Sequence, residues 1–575
     1  MQYSVDPRQN RLFDLFAGLI CDPAKRLIAQ GWQGVMRHCL LQMMPVPELA
    51  KNFDPLIGAP TKELYSMAGL VFLADFFDWT SNEAAESYML NLGVQYALNL
   101  DPGAAVSART IERYQRLFRE DDMAAKVFDQ VTSKLTELLE LDVSKQRLDS
   151  THVFSHMATF GRTKLMGVAI KRFLTQVKRH ARDRYDALPE DLRGRYEVAE
   201  SKLFAHAKDA EGRKRSRQQV AEDLQWVIEH FANQADITSR STYKVLPAIF
   251  DEQCEVVAGK VEIRIKTGGD CIQNPSDTDA TYDGHKGQGY QVQISETSSD
   301  ENEVQLILAA LPQTACEVDG AALVPVLEDL KQRGVLPEEM PADGAYGSDE
   351  NVQAAAAYGV ELIAPIAGRT PTAANPDALT IDDFAIDERT GQVDACPQSQ
   401  VPVRVERDAE AERTLVEMPA GTCSACPLLD LCPIKKTRDG RYELEFTDKE
   451  QRLAARRREQ DTEVFQERYS PRAGVESTNS GLKNRCGAGK LRVRGRGSVF
   501  RLLYHKIAGW NMLRAAASGK VRAWVATQVA KTLGMGGAAQ AGLFCDAILT
   551  LIGRHDSVSH RTKRQTIKIS VATAV

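Results

Sequence analysis

Two aspartates stand where an open α/β sheet gathers its ligands. Asp149, in Leu148-Asp149-Ser150-Thr151-His152, and Asp343, in Ala342-Asp343-Gly344-Ala345-Tyr346, each close a short run that reads as a strand, and the crevice beyond the carboxyl ends of strands is where such sheets bind. An aspartate there is a candidate metal ligand; the bland alternative is a turn residue or a helix cap. Spacing marks a third group. Tyr469, Arg472, Glu476 and Lys483 follow the pattern Y-x2-R-x3-E-x6-K, and on a helix beginning near Gly474 the last two lie seven positions apart on one face. The plain alternative, that they decorate a solvated helix, needs four residue types at three fixed gaps to coincide by chance.

A second constellation is Cys396, Cys423, Cys426 and Cys432. Cys423-x2-Cys426 has the tight knuckle spacing of structural zinc sites, and the other two could close a tetrahedron. Two readings stand, a Zn2+ site or four free thiols. The surrounding stretch carries many turn residues and so little apolar core that a metal staple would benefit it. Cys39 and Cys545 read as core residues. Eleven cysteines with no secretion signal argue for reduced thiols or metal ligands over a disulfide framework.

These groups need elements to position them. A chain of 575 residues is long enough for about three or four domains, and with 43% hydrophobic and 26% charged residues its composition is that of a globular protein. Residues 1–140 read as helical; the helix after Val106 starts at Ser107 and places Arg109, Arg113 and Arg116 on one face, a candidate DNA-binding surface or a solvated basic side. From 141 to 369 the order is a strand at Asp149, a charged helical insertion at about 160–245, then strands Tyr290–Glu296 and Val304–Leu311, a helix Ala322–Arg333, a short strand ending at Asp343, a helix from Ser348, and a strand Val360–Pro365. The insertion reads either as an arch over DNA or as solvated helices packed on each other. Residues 370–447 form the Cys-rich module. An arginine-rich helix, Asp448–Glu467, opens the segment 448–553, and 554–575 reads as a flexible tail. The sum is an α/β protein with a ribonuclease H-like mixed sheet carrying helices on both faces, a helical N-terminal domain, a helical insertion and a small Cys-rich insertion.

With Tyr469, Arg472, Glu476 and Lys483, the run Arg472-Ala-Gly-Val-Glu476-Ser-Thr-Asn-Ser-Gly-Leu-Lys483, then Arg492-Val-Arg494-Gly and Asn511-Met-Leu-Arg514, closely resembles one large class of DDE transposases of bacterial insertion sequences. The resemblance covers most of the chain, including Gly284-His-Lys-Gly to Gln293, and the long insertion after Asp149 departs from the minimal core of that class. It implies Asp149, Asp343 and Glu476 as a DDE triad holding Mg2+ or Mn2+, with Tyr469, Arg472 and Lys483 gripping DNA backbone near the scissile phosphate and Arg492 and Arg494 among the DNA contacts. It also implies double-stranded DNA as partner, both transposon ends and target, and a homodimer that brings two ends together. Two metal ions about 3.5 to 4 Å apart can activate the attacking oxygen and stabilise the leaving one, so cutting and joining can share one site. Relatives with this motif can form hairpin intermediates.

Charge distribution points the same way. Net charge is −6, yet between Arg468 and Ala523 thirteen Lys or Arg face a single acid, Glu476, while acids crowd Glu296–Glu303. A local basic field of that density attracts phosphate; a solvated basic face is the alternative. The apolar stretches Ser66–Trp79 and Ala541–Gly553 are too short to span a bilayer and carry Asp75 and Asp546, and the N-terminus has no signal-peptide pattern. The expectation is a cytoplasmic protein, associated with the nucleoid when on DNA, without membrane partners. Three other readings compete: a ribonuclease H-like nuclease without strand transfer, a non-catalytic DNA-binding protein derived from a transposase, and a zinc-module regulator that leaves the α/β core idle.

Overall fold

The computed structural model describes residues 1–8, 20–101, 103–204, 209–366, 377–387 and 392–532. The apolar run 541–553, Cys545 and the tail 554–575 lie outside them. The chain divides into two compact units: Met1–Leu70 with Asn82–Ile111 and Met512–Val575, and Val71–Ser81 with Glu112–Asn511. The first is built of short helices such as Asp22–Gln30, Leu92–Ala97 and Gly519–Thr532, with Met36, Leu40, Leu41 and Met67 fully buried. The helix expected after Val106 runs Ala108–Glu120, and Ser107 Oγ caps it by accepting from Thr110 N at 3.2 Å. The apolar run at Ser66 forms the helix Leu64–Phe76, buried over nearly its whole length. Among the described residues no helix is long and apolar enough to cross a membrane.

The second unit holds a mixed α/β core. Its strands are β1 (Gln146–Val153), β2 (Gly287–Thr297), β3 (Ile307–Thr314), β4 (Glu339–Pro341) and β5 (Glu361–Ile363). β2 pairs antiparallel with β1 from Gln146↔Thr297 to Val153↔Tyr290, and antiparallel with β3 on its other edge. β4 pairs parallel with β5 and touches β1 through parallel bridges Lys145↔Glu339 and Leu148↔Ala342. The spatial sequence is therefore β3-β2-β1-β4-β5. Almost every residue of β2 is buried, as a central strand covered on both faces requires. Gly289, at φ +141°, is needed where β2 begins, because a Cβ there would stand 2.4 Å from Val153 O. The strand expected over Val304–Leu311 sits at Ile307–Thr314 instead: a register shift between Ser295 and Glu296 interrupts the ladder, so Val304 remains in the connecting turn.

Helices α1 (Arg162–His180), α2 (Ala210–Phe231) and α3 (Ser241–Gln253), with the hairpin Cys254–Val257/Lys260–Ile263, make up the insertion between β1 and β2. It runs past the expected end near 245 because the hairpin completes it. Phe173, Val220, Leu224, Phe231 and Leu246 form its own apolar core, and the buried Asp223 is neutralised by Arg195 at 2.7 Å and the Tyr196 hydroxyl at 2.8 Å. Beyond β3 come α4 (Leu323–Gln332) and α5 (Asp349–Ala357), the latter capped by Ser348.

The Cys-rich module corrects an expectation. It has an apolar core: β6 (Arg404–Asp408), β7 (Arg413–Met418), β8 (Lys435–Lys436) and β9 (Tyr442–Thr447) form a sheet in the order β6-β7-β9-β8, and Val416, Met418, Tyr442, Leu444 and Phe446 bury one face of it together with Phe384. The alternation in β7 and β9 supplies that face. The arginine-rich helix is also two helices. α6 (Asp448–Gln460) opens with a Thr447/Glu450 capping box, and α7 (Glu463–Tyr469) starts afresh because Thr462 Oγ1 accepts from Phe465 N. α8 (Gly474–Asn484) and α9 (Arg496–Ala517) follow.

Candidate active site

β1 carries Asp149 into the centre of the sheet, where the residue is only 8% exposed. Asp343 follows β4 directly and caps a tight turn, its Oδ1 accepting from Ala345 N at 2.8 Å. Glu476 lies in the first turn of α8, where a carboxylate complements the helix dipole, and its side chain is mostly exposed. One guanidinium joins all three. Arg472 Nη2 is 3.5 Å from Asp149 Oδ1 and 3.8 Å from Asp343 Oδ2, and its Nη1 is 3.3 Å from Glu476 Oε1. Burial pushes the Asp149 carboxyl above its ordinary range; the charge of Arg472 opposes this, while Asp343 and Asp319 add to it. Burial likewise raises the Tyr469 phenol, which lies in the field of Arg472 and of all three carboxylates. Lys483 is held below its usual value by desolvation, with Asp149 opposing and Lys286 reinforcing the shift. Arg492 and Arg494 lie away from the three carboxylates: Arg492 Nη1 donates to Asp78 O at 3.0 Å, and Arg494 lies close enough to the like-charged Arg172 of α1 to repel it.

Several residues of this region were given no individual role from the sequence. Asn479, one turn beyond Glu476, donates from Nδ2 to Asp149 Oδ2 at 2.9 Å, and its Oδ1 is buried without a partner. Lys286 donates from Nζ to Ser150 Oγ at 3.0 Å and pairs with Asp319 at 2.9 Å, and Gln293 holds the other oxygen of Asp319. Beneath α8, Arg147 meets Glu296 at 2.6 Å, Glu296 also accepts from Thr478 Oγ1 at 2.7 Å, and Arg147 Nη1 reaches Pro471 O. Glu296, read from sequence as the end of a strand and the first of a crowd of acids, is thus a fully buried anchor for the helix bearing Glu476. Glycine at 474 leaves room for the Arg147 guanidinium beneath α8; a Cβ there would stand 1.9 Å from Arg147 Nη1, so Arg147 would have to move.

Residues 395–516 match a family model described as a transposase DDE domain. The match takes in the Cys-rich sheet, α6, α7 and α8 with Tyr469, Arg472, Glu476 and Lys483, and leaves Asp149 and Asp343 outside it. No curated protein and no solved structure gives a match. Similarity to the transposase DDE domain supports a transposase and, with it, a divalent metal.

Among the described residues, no group of three or more His, Cys, Asp or Glu is arranged so as to hold a metal ion as it stands. For the two constellations this means different things. Mg2+ keeps several waters and takes one or two carboxylates plus substrate phosphate, so the hard oxygens of Asp149 and Asp343 beside the unpartnered Oδ1 of Asn479 suit such an ion without a closed cage. Structural zinc needs a closed tetrahedron of four ligands. Cys396, Cys423, Cys426 and Cys432 do line one pocket with Leu379 and Ile434, and burial, then the neighbouring thiols, push the Cys423 thiol up. They are not in ligand geometry, so the zinc expectation gains no support, and the apolar core of β7 and β9 does the holding expected of a metal.

The basic run between Arg468 and Ala523 is only partly a surface. Arg501 is buried and bound to Asp75 at 2.9 Å, His505 Nδ1 contacts the same carboxylate at 2.7 Å, and Lys506, fully buried, pairs with Asp78 at 2.8 Å. Arg468 is held by Glu361 and Glu339. Lys483, Arg485, Lys490, Arg492, Arg494 and Arg496 remain exposed.

Proposed function

We propose that this chain is a DDE transposase of insertion-sequence type, which cuts DNA strands at the ends of a mobile element and joins the freed 3′ hydroxyl to target DNA. The observation that carries this reading is the convergence of Asp149, Asp343 and Glu476 on Arg472 in a chain whose segment 395–516 resembles the transposase DDE domain. The strand sequence β3-β2-β1-β4-β5, with antiparallel contacts on one side of β1 and parallel ones on the other, supports a ribonuclease H-like core. Divalent ions, Mg2+ or Mn2+, held by the three carboxylates would activate the attacking oxygen and stabilise the leaving one. The chain's own side chains do the rest: Asn479 orients Asp149, Arg472 offers a planar fork to phosphate and Lys483 a mobile point charge, Tyr469 lines the site, and Arg492 and Arg494 contact the DNA backbone. The helical segment 1–140 reads the terminal inverted repeats, and a homodimer on DNA brings two ends together in the cytoplasm.

The test uses duplexes containing the inverted repeats that flank the reading frame. Asp149→Asn, Asp343→Asn and Glu476→Gln each lose cleavage in Mg2+ and Mn2+ while binding the duplex normally without metal, and the triple variant is little worse than any single one, because members of one catalytic unit are strongly non-additive. A variant that cleaves at the wild-type rate removes its residue from the triad. Wild-type protein that cuts without joining is a nuclease, and one that only binds overturns the proposal.

A further inference from the structure

Arg472, partly exposed, differs from the arginines that make tight pairs in this protein. Arg147 closes on Glu296 at 2.6 Å, and Arg501 grips Asp75 through Nε and Nη2 at 2.9 and 3.0 Å; these are the short, charge-assisted contacts of structural pairs. Arg472 makes no contact that short: its one side-chain hydrogen bond to a carboxylate is the long one from Nη1 to Glu476 Oε1 at 3.3 Å. Its guanidinium stands 3.3 to 3.8 Å from three separate carboxylates, and its Nε is buried without a partner. It serves three anions at arm's length instead of one well.

A cation in that position shares its field with any divalent ion held by the same carboxylates. Each stabilises the cluster and each repels the other, so occupancy by one weakens the other by the same factor. Resting on the transposase reading above, we infer that Arg472 is a built-in counter-cation of the three carboxylates, which a divalent ion displaces and which DNA phosphate draws away. The arginine thereby couples the two ligands: phosphate that engages Arg472 frees the carboxylates for metal, and metal that takes the carboxylates frees Arg472 for phosphate. Metal affinity is low without DNA and rises with it, which restricts strand cutting to the moment a phosphodiester is in place.

The experiment measures Mn2+ binding to the full chain from the loss of the free-ion EPR signal, with and without a short duplex. Arg472→Gln binds Mn2+ without DNA about tenfold more tightly than wild type, within the usual range of site-to-site coupling, and the duplex tightens it less than it tightens wild type, because only the phosphate's own contribution to the metal remains. Arg472→Lys, which keeps a charge but cannot span three carboxylates, falls between the two and carries the test if the glutamine variant does not fold. Unchanged or weaker Mn2+ binding in both variants overturns the inference. If Asp149→Asn abolishes Mn2+ binding while the Arg472 variants behave as wild type, the counter-cation role alone fails. If wild type and Asp149→Asn are indistinguishable, the metal site of the transposase reading fails and takes this inference with it.

Discussion

The side-chain amide of Asn479 donates to Asp149 Oδ2 at 2.9 Å across 330 positions of sequence, tying the helix that carries Glu476 to the strand that carries Asp149. Because Oδ2 is engaged, Oδ1 is the oxygen turned to Arg472. On the proposed function Asn479 positions Asp149, and hydrogen bonds to a charged group are worth about 1.5 to 3 kcal/mol. Asn479→Ala should therefore lower single-turnover cleavage about tenfold or more while metal-free DNA binding is unchanged. Asn479→Asp, which sets a second negative charge against Asp149, should be worse at low Mn2+ and recover as Mn2+ rises. A wild-type rate in the alanine variant would remove Asn479 from the site.

The close approach of α8 to β1 makes a second prediction about stability. Arg147→Ala strands Glu296, 1% exposed, and breaking such a buried pair costs about 3 to 5 kcal/mol. Gly474→Ala drives Arg147 off the same partner, since the new Cβ would overlap its guanidinium. Denaturant unfolding of the double variant should show much less than the sum of the two losses, as residues sharing one partner do. Full additivity would mean that Arg147 moves aside without releasing Glu296.

What could be read in advance was whatever the chain keeps local. The motif Tyr469 to Lys483 lies within one stretch, and it marked Arg472 and Glu476 together. The strands at Asp149 and over Tyr290–Glu296 and the helix from Ser348 were equally legible. The alternation in β7 and β9 was there too, but four cysteines and many turn residues outweighed it, so a module with its own core was read as needing a metal. Asn479 and Lys286 stood inside quoted runs with no role of their own, and Asp319 and the Arg147–Glu296 pair left no trace, because each acquires meaning only from a partner across the sheet. Charge density gave no direction either. It counted Arg501 and Lys506 with Lys483, although burial and the carboxylates of Asp75 and Asp78 claim the first two.

In the first unit, His38 gives a pH-dependent prediction. Its Nε2 lies 3.0 Å from the Tyr96 hydroxyl, and burial, followed by the charge of Arg37, lowers its pKa from 6.5 to about 4. The fold favours the neutral ring, so the unfolded chain takes up the proton first. The neutral ring's contribution is intact above pH 6.5 and is lost as pH falls towards 4, at up to about 1.4 kcal/mol per pH unit. The unfolding midpoint of wild type should fall more steeply than that of His38→Gln between pH 6.5 and 4.5. Parallel curves would show that His38 titrates as it does in the unfolded chain.

Lys483 and Lys506 separate surface charge from interior charge within one basic segment. Lys483 is exposed on α8 and flanks Asp149, whereas Lys506 is fully buried and bonded to Asp78 and to Cys486 O. A lysine on phosphate binds any sequence and releases counterions, steepening the log-log salt dependence by about 0.9 for each phosphate neutralised on duplex DNA. Lys483→Ala should weaken binding to inverted-repeat and random duplexes alike, with the salt slope shallower by about that amount and the unfolding midpoint little changed. Lys506→Ala should do the reverse, leaving the slope intact and destabilising the fold, because the Asp78 carboxylate loses its cation. A loss on the inverted repeat alone would make Lys483 a reader of bases, and an unchanged slope would take it off the DNA backbone altogether.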